Sequence, residues 1–494
     1  MSNATTAETL ALIKAAQQNP QAELAKSWTQ QSATSGITAY DLEAGAKLLY
    51  PVITPLRNKI PRVSGKGGTQ ANWRAITGID TTAIGWGVSE GNRAPVMSST
   101  TTDYTAAYKA FGLDDNVSYE ADLAAQGFDD LKSVAVMGLL RATMIQEEKL
   151  ILGGNSSIAL GTPSTPTVAT ATTGGTLAAL TYSIICVALT LEGYNRGSVS
   201  GGLPLSATRT LADGTTEAHN DGTSIKSTAA TQITTGTTST VSATVTAING
   251  AVAYAWFWGV GGSELLGAIT TINSVLIAAA ATGTQNASAG FTADKSQNSM
   301  VFDGLLTQIM KSGSGSYVKV MASGTAGTGT PLTGAADGSI SEIDAALRSF
   351  WDNYRLSPTI MYVNSQELAN FRTKALTGST TSAQRFVFDT NQQGVMIGSA
   401  VKGYTNPYTM DGAKMIDIQL HPNIPPGTIL LYSDSINYPL SNVVNLVQMK
   451  MRRDYYQIEW PIRTRKYEYG VYADGVLQNY FPPAFGVIRN IGNG

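Results

Sequence analysis

Residues 129–154 read DDLKSVAVMGLLRATMIQEEKLILGG, and this stretch organises the rest of the chain. Apolar residues recur at helical spacing from Leu131 through Ile145 to Leu152. The two leading aspartates suit the positive end of a helix dipole, and the paired glycines suit a helix end. At 1.5 Å per residue, about 24 residues make a rod of roughly 36 Å. The sequence therefore predicts one long helix over about 129–152.

The chain before this helix is predicted to form an arm and a ribbon. Residues 1–30 suit an amphipathic helix interrupted by a proline, and residues 31–61 are expected to be extended and irregular. Residues 62–110 alternate polar and apolar residues with many glycines, which is typical of a long two-stranded hairpin. Because an isolated hairpin is marginal in water, we expect this one to lie on a neighbouring chain. The residues expected at contacts between chains are Trp28, Trp73, Ile79, Trp86 and Arg93.

The composition changes abruptly after the long helix. Residues 155–300 hold 10 charged residues among 146, against 58 among the other 348. Short apolar runs recur there between clusters of Gly, Thr, Ser and Asn, which indicates an all-β sandwich. The alternation of Tyr254, Trp256 and Trp258 would place three aromatic rings on one strand face, as the core of such a sandwich requires.

Charge returns after residue 300, and helix and strand patterns alternate. Ser339 and Glu342 have the spacing of a capping box before a helix, and Asn364 precedes a second helix. The C-terminal part reads as several strands, so the chain as a whole is expected to be α+β. Six basic residues between 448 and 468 alternate with aromatic ones. They suit either a nucleic-acid surface or charge pairing across strands and between chains, and the pairing is favoured.

Charge and motifs argue against several other classes of protein. Only 14% of the residues are charged and the net charge is −2, which disfavours a dedicated nucleic-acid binder and leaves little protection against self-association. One cysteine, Cys186, excludes a disulfide framework and a Cys-rich metal site. Neither a signal peptide nor a membrane-spanning segment is recognisable, so we expect a chain made inside the cell with no membrane partner.

Residues able to carry catalysis are present, but their contexts favour structural roles. Ser89 lies in a Gly-x-Ser-x-Gly string that no helix signal follows, so a hairpin turn is preferred to a nucleophile elbow. His421 precedes a proline and is interpreted as a turn residue. Glu147 and Glu148 are adjacent rather than facing, so we expect them to be solvated or at a helix end. No catalytic, cofactor or metal site is predicted, and we expect no enzyme.

The order of these elements resembles the tailed-bacteriophage major capsid protein, with its HK97-like fold. An arm, a long two-stranded loop, a long helix ending in EEKLILGGN, a mixed domain and terminal strands follow one another as in that family. The region 158–297 resembles the immunoglobulin-like or fibronectin-type domains that decorate phage capsids and tails. The implied parts are an N-terminal arm (1–61), an extended loop (62–110), a peripheral domain with its spine helix (111–157), the insertion (158–297), an axial domain with peripheral connections (298–440) and the C-terminal peripheral strands (441–494).

The resemblance implies a structural role in a virion. Such a chain assembles with itself as hexamers and pentamers into an icosahedral shell, which encloses double-stranded DNA by non-specific contact. Portal, scaffold or decoration proteins are further partners that it implies, with assembly in the host cytoplasm. Two alternatives stay open: a surface adhesion protein that works through its immunoglobulin-like domain, and the shell protein of a bacterial nanocompartment.

Overall fold

The helices and strands below come from a computed structural model. It describes residues 50–80, 87–94, 96–125, 130–210, 216–335, 338–377, 401–410, 412–436, 438 and 441–492. Within these ranges the α-helices are Pro55–Lys59 (α1), Tyr119–Ala124 (α2), Leu131–Gly153 (α3), Leu191–Arg196 (α4), Leu305–Met310 (α5), Ser341–Tyr354 (α6) and Ser365–Thr377 (α7).

The strands of the same ranges fall in two groups along the chain. Those before residue 300 are Arg62–Ser64 (β1), Gln70–Asp80 (β2), Ser98–Ala107 (β3), Lys109–Ser118 (β4), Thr167–Ala171 (β5), Thr181–Leu189 (β6), Ala207–Thr210 (β7), Thr216–His219 (β8), Ala230–Ile233 (β9), Thr240–Thr244 (β10), Ala253–Gly259 (β11), Leu265–Thr270 (β12) and Ser274–Ile277 (β13). Those after it are Tyr317–Val320 (β14), Ile360–Val363 (β15), Gly403–Asn406 (β16), Lys414–Leu420 (β17), Ile429–Tyr432 (β18), Val447–Glu459 (β19), Lys466–Asn479 (β20) and Gly486–Arg489 (β21).

The long helix predicted from the sequence is confirmed as α3. Its end is a crowded junction, where two other segments approach the backbone closely. A Cβ added to Gly153 would lie 2.4 Å from the side chain of Leu191, and one added to Gly154 would lie 2.4 Å from the carbonyl oxygen of Phe302. The two glycines therefore end the helix and also let the insertion and the following segment pack against that end.

The hairpin is shorter than the sequence pattern suggests. Strands β2 and β3 pair antiparallel from Gln70↔Ala107 to Asp80↔Ser98, whereas β1 pairs in parallel with β19. The expected extended conformation is also wrong just before β1. Residues 55–59 form α1, and Leu56 and Ile60 are buried in a core with the end of α3, helix α5 and strands β19 and β20. Long-range burial of two apolar side chains outweighs the proline-rich local pattern.

Outside the insertion, the described residues form two larger sheets besides the hairpin β2–β3. One has the strand order β1-β19-β20-β4, and the other has the order β14-β21-β18-β15-β17-β16. Helix α6 packs Ile343, Leu347 and Phe350 on the second sheet. The predicted capping box is wrong, because no side chain caps α6 at Ile340; the carboxylate of Glu342 accepts the backbone N–H of Thr333 instead.

Besides the separate strand pair β7–β8, the low-charge region contains two facing sheets, as expected of a sandwich. Their orders are β13-β10-β5 and β12-β11-β6-β9. Tyr254, Trp256 and Trp258 lie together in the core between the sheets, which confirms the predicted aromatic face. The other face of β11 is also buried, with Phe257 packed on Phe291 at 5.6 Å between ring centroids. Burial on both faces explains why these strands carry almost no charge.

The two ends of the low-charge region meet. The backbone N–H of Asn298 donates to the carbonyl of Asn155 at 2.8 Å, and the amide of Asn155 donates to the carbonyl of Ser296 at 2.8 Å. The region is also fixed along its side, because Arg489 of β21 donates to the carbonyls of Ile248 (2.8 Å) and Ala251 (2.6 Å). The low-charge region is thus joined to the rest of the chain where its two ends meet, and it also packs on β21 through Arg489.

Among the described residues, those of the segment 117–134 form a small unit of their own. Its helix α2 is capped by the Ser118 hydroxyl, which accepts the backbone N–H of Ala121 at 3.3 Å. Lys132 forms an ion pair with Asp122 at 3.1 Å. These local contacts suit a short helix that buries none of its residues.

Candidate self-association interface

The hairpin β2–β3 presents apolar side chains to solvent along its length. Ile76 is 69% exposed and Ile79 is 58% exposed, and beyond them Val96 is 94% exposed. The first four residues of β3 are exposed, and along the rest of the strand half-buried and exposed residues alternate. Two strands cannot bury such side chains on each other, because neighbours in a hairpin point to the same two faces. The hairpin therefore leaves these apolar side chains exposed to solvent.

Trp73 differs from the isoleucines because its ring packs within its own chain. It stacks on Tyr104, its cross-strand partner, with ring centroids 5.8 Å apart, and meets the edge of Tyr480 at 6.2 Å. Trp73 is therefore partly buried within its own chain. Its indole Nε1 is nevertheless buried without a hydrogen-bond partner among the described residues.

The other residues expected at contacts between chains have separate outcomes. Ile79 and Arg93 are exposed, so both are accessible to a second chain. Trp28 and Trp86 lie outside the described residues. Contact with a second chain stays a prediction for all five residues.

Polar cross-strand pairs stiffen the hairpin without burying its apolar row. Arg74 and Asp103 face each other at 2.5 Å, and both side chains are more than half exposed. The hydrogen bond from Arg74 holds the pKa of the Asp103 carboxyl below its usual value. An exposed pair of this kind contributes little to folding, so it sets cross-strand register rather than stability.

Ser89 occupies a turn within the hairpin's connection, as predicted. The backbone N–H of Asn92 donates to the carbonyl of Ser89 at 3.1 Å, and the Asn92 amide donates to its hydroxyl at 2.6 Å. The described residues 87–94 contain no helix. A nucleophile elbow needs a helix after the serine, so this serine lacks the required context.

The chain that leads into the hairpin is held on α3 by buried charges. Glu148 is fully buried and accepts the backbone N–H groups of Leu56 (2.9 Å) and Arg57 (2.7 Å). It also lies 2.6 Å from Nε2 of His421, whose Nδ1 accepts the backbone N–H of Asn423. With Nδ1 an acceptor, the ring proton sits on Nε2 and is donated to Glu148. Glu148 thereby accepts hydrogen bonds from two backbone N–H groups in the first turn of α1, although 92 residues separate it from Leu56 in the sequence.

Glu147 anchors the same segment through arginines. It is fully buried and pairs with Arg57 at 3.1 Å and with Arg62 at 2.6 Å, while the Tyr455 hydroxyl also donates to it. Both guanidinium groups lie over the Tyr455 ring, at 5.2 and 4.9 Å from its centroid. Burial, and then the charge of Glu147, raise the pKa of Tyr455 well above its usual value. Arg62 completes the cluster by pairing with Asp454 at 2.6 Å.

This cluster corrects the interpretation of Glu147 and Glu148 as solvated. Both lie on the last turns of α3, as expected, but neither is exposed. The sequence gives no signal of their burial, because the partners Arg57, Arg62 and His421 are distant along the chain. The two carboxylates face different partners, so they form no shared acid/base pair.

Part of the basic cluster between 448 and 468 is paired across strands. Arg452 of β19 pairs with Asp474 of β20, with Nε 2.7 Å from the carboxylate. Arg453 lies 4.1 Å from the ring centroid of Tyr456. The Arg452–Asp474 pair agrees with the favoured charge-pairing interpretation for Arg452, whereas Arg453 contacts an aromatic ring of its own strand.

Other kinds of site find no support in the described residues. No group of three or more His, Cys, Asp or Glu side chains in that part of the chain could hold a metal ion. None of the helices described is long and apolar enough to cross a membrane. Cys186 is fully buried, and burial raises the pKa of its thiol well above the usual value.

Comparison with known proteins finds likeness in structure alone. No protein-family model and no curated protein matches the sequence. The chain is similar to the capsid of a native GTA particle (9% identity, TM-score 0.43, 95% of this chain and 100% of that one). It is also similar to the capsid of Myoviridae phage XM1 (9%, 0.39, 90% and 94%) and to the capsid of cyanophage P-SCSP1u (7%, 0.40, 95% and 99%). Each of these three neighbours is a capsid structure, and its match covers 90% or more of this chain.

Proposed function

We propose that this chain is the major shell subunit of a tailed-phage capsid, with a structural rather than a catalytic role. The observation that carries the proposal is the solvent-exposed apolar row of the hairpin β2–β3. A chain that is stable alone rarely leaves Ile76, Ile79 and Val96 exposed on one thin ribbon. Such a row suits a subunit that buries the ribbon on its neighbour.

The anchoring of the hairpin supports the same role. Glu147 and Glu148 fix the segment 54–64 on the end of the long helix, and that segment leads directly into β2. A hairpin that packs on a neighbouring subunit must be firmly attached to its own subunit if it is to hold the two together. Buried, multiply bonded carboxylates provide a rigid attachment for that purpose.

The finer parts of the proposal follow from this role. The subunits assemble as hexamers and pentamers into an icosahedral shell around double-stranded DNA, held by non-specific contact, and assembly takes place in the host cytoplasm. The arm, within residues 1–61, adds contacts between subunits, and portal, scaffold or decoration proteins complete the particle. The domain boundaries predicted from the sequence apply, except that residues 54–60 are part of the core of the subunit itself.

The insertion, residues 158–297, is proposed as an immunoglobulin-like domain on the outer surface of the shell. Its facing sheets and its closely spaced ends support an inserted domain. Its contact with Arg489 supports a domain fixed in orientation rather than one on a free tether. A fixed domain can brace or decorate a shell in a regular pattern.

Electron microscopy of the purified protein tests the proposal. The wild-type chain should form closed particles, whereas an adhesion protein should remain as single chains or irregular aggregates. Particle size separates a phage shell from the smaller shell of a nanocompartment.

The hairpin's part is tested with Ile79→Asp against a matched control, Val260→Asp. Val260 is exposed to a similar extent (55%) but lies on the insertion. Burying an isoleucine at an interface contributes about 2 kcal/mol, and a buried carboxylate adds a desolvation penalty, so Ile79→Asp should abolish particles. Particles of normal yield from Ile79→Asp, or an equal loss from both variants, would contradict the role of the hairpin.

A further inference from the structure

The bend at residues 220–223 of the insertion packs tightly on helix α4. The carbonyl of Gly222 accepts the backbone N–H of Thr190 at 2.9 Å and its hydroxyl at 3.3 Å, and Thr190 is the N-cap of α4. Gly222 has a φ of +81°, and a Cβ added to it would lie 2.3 Å from the Thr190 hydroxyl and 2.6 Å from the backbone nitrogen of Gly193. Because glycine alone fits this contact, a shift of the bend displaces the start of α4.

Helix α4 connects this bend to the end of the long helix α3. Leu191, the first residue of α4, packs in the same core as Ile151 and Leu152 of α3. A Cβ added to Gly153 would lie 2.4 Å from the side chain of Leu191. A continuous series of contacts therefore runs from the bend through α4 to α3, and it attaches the insertion to the rest of the chain.

The other side of the bend is held by the segment 294–298, where the chain leaves the insertion. The backbone N–H of Gly222 donates to the carbonyl of Lys295 at 3.0 Å, and the backbone N–H of Lys295 donates to the carbonyl of Thr223 at 2.9 Å. The amide of Asn220 donates to the carbonyl of Gln297 at 2.6 Å. The bend thus lies between α4 and this segment, close to the place where the two ends of the insertion meet.

Asp221 lies within this bend, and its carboxyl group is buried and incompletely bonded. The residue is 1% exposed. Its Oδ1 accepts the hydroxyl of Thr223 at 2.9 Å and the backbone N–H of Thr223 at 3.3 Å, whereas Oδ2 is buried without a hydrogen-bond partner among the described residues. A charged oxygen that has lost its water and gained no donor is costly, so the folded bend favours the neutral carboxyl.

The cation that acts on this carboxyl is bonded to another group. Nζ of Lys295 donates to the hydroxyl of Ser206 rather than to Asp221. Burial raises the pKa of the Asp221 carboxyl above its usual value, and neither the hydrogen bonds from Thr223 nor the charge of Lys295 reverses that direction. The direction of the pKa therefore agrees with the unpaired oxygen.

The segments packed around the bend carry six other charged or titratable side chains: Glu192, Tyr194 and Arg196 on α4, Asp294 on the segment 294–298, and His219 and Lys226 on either side of the bend. Glu192 pairs with Arg196 at 3.3 Å. Asp294 accepts two backbone N–H groups, and Nζ of Lys226 donates to a backbone carbonyl. Histidine ordinarily titrates near neutral pH, so His219 must be distinguished from Asp221 by experiment.

We propose that Asp221 is a pH-sensitive latch: the bend holds α4, and through α4 the end of α3, more tightly when the carboxyl is protonated than when it is ionised. This inference concerns the attachment of the insertion within one chain, so it does not depend on the proposed function. A group that binds its proton more readily in the folded chain contributes its full stability below the unfolded pKa of about 3.9, and this contribution falls as the pH rises through the folded value. Acid should therefore tighten the attachment, and neutral pH should loosen it.

Hydrogen exchange of the full-length protein between about pH 4.5 and about pH 7.5 tests the latch, with rates corrected for the intrinsic pH dependence of exchange. The amides of Thr190 and Gly222 report on the two sides of the bend. In the wild type their protection should fall by about threefold or more toward neutral pH, since half a pKa unit corresponds to that factor. The Gly154 amide, which donates to Leu150 at the end of α3, should change in the same direction.

Asp221→Asn keeps the shape of the side chain but cannot ionise, so its protection should not change with pH. If this variant does not fold, the smaller neutral variant Asp221→Ser takes its place. Asp294→Asn is the matched control. Its carboxylate is fully engaged by backbone N–H groups, so its loss should lower protection at every pH and leave the wild-type decline in place. His219→Gln should also keep the decline.

Four outcomes would overturn the proposal. Constant protection in the wild type would remove the pH response, and a decline that persists without the Asp221 carboxyl would assign it to another group. Loss of the decline in His219→Gln would assign it to that histidine. A response at Thr190 and Gly222 with none at Gly154 would contradict the coupling to α3.

Discussion

Replacing Glu148 tests whether buried charge holds the hairpin's attachment on the long helix. The side chain is fully buried and receives three donors: the amides of Leu56 and Arg57 and the Nε2–H of His421. Glu148→Ala leaves all three without an acceptor. Each buried donor left unpaired costs about 1–3 kcal/mol, and the loss of one member of a buried charged network costs about 3–5 kcal/mol. We expect the free energy of unfolding to fall by about 3–5 kcal/mol.

The assay is urea unfolding of unassembled subunits, followed by tryptophan fluorescence and by hydrogen exchange at the Leu56 and Arg57 amides. Lys149→Ala is the matched control, because Lys149 is exposed on the same turn of the helix; it should change stability by less than about 0.5 kcal/mol. Glu148→Gln keeps the volume but replaces one acceptor oxygen by a donor, so it should lose nearly as much as the alanine variant. A loss below about 1 kcal/mol for Glu148→Ala, or unchanged exchange at both amides, would refute the reasoning.

Two further predictions concern other buried charged groups. Arg489→Ala should lower the free energy of unfolding by about 1–3 kcal/mol and speed hydrogen exchange around Ile248–Ala251, because it leaves the buried carbonyl of Ala251 without its donor and removes one of the two donors to the carbonyl of Ile248; unchanged exchange there would show that the insertion is not held by this residue. Glu367→Gln should raise stability at neutral pH but not near pH 4, because burial raises the pKa of Glu367 in the folded chain. A folded-state pKa above the unfolded one favours the protonated form, so the wild type loses stability as the pH rises from the ordinary glutamate value upward. A wild type whose stability does not fall relative to Glu367→Gln over that range would contradict this assignment.

The elements that are strongly periodic could be predicted from the sequence. The helix over about 129–152 appears as Leu131–Gly153, and Tyr254, Trp256 and Trp258 share one buried face, because both patterns depend on spacing along a single element. The prediction over 62–110 was right in kind but too long. Its first part, β1, pairs with β19, a strand almost 400 residues away.

The candidate interface was predictable only in part. Alternation and apolar content identified the hairpin and its exposed Ile79, but the partial burial of Trp73 depends on Tyr480, which is far along the chain. The failure of the capping box at Ser339 and Glu342 has the same origin. The carboxylate of Glu342 meets the amide of Thr333, which the chain brings close only after folding.

The sequence by itself determined the order of the elements, the low-charge insertion and the exposed apolar ribbon, because hydrophobic period, turn residues and charge density are local properties. Only the tertiary structure decided which polar groups are paired. Glu147 and Glu148 look like solvent-facing residues at a helix end, yet they are buried because Arg57, Arg62 and His421 converge on them from distant segments. Trp73 Nε1 and Asn479 Nδ2 look ordinary, yet both are buried with no hydrogen-bond partner in the part of the chain that the structure describes. Hydrogen bonding depends on atoms meeting within about 3 Å, and sequence separation does not specify that distance.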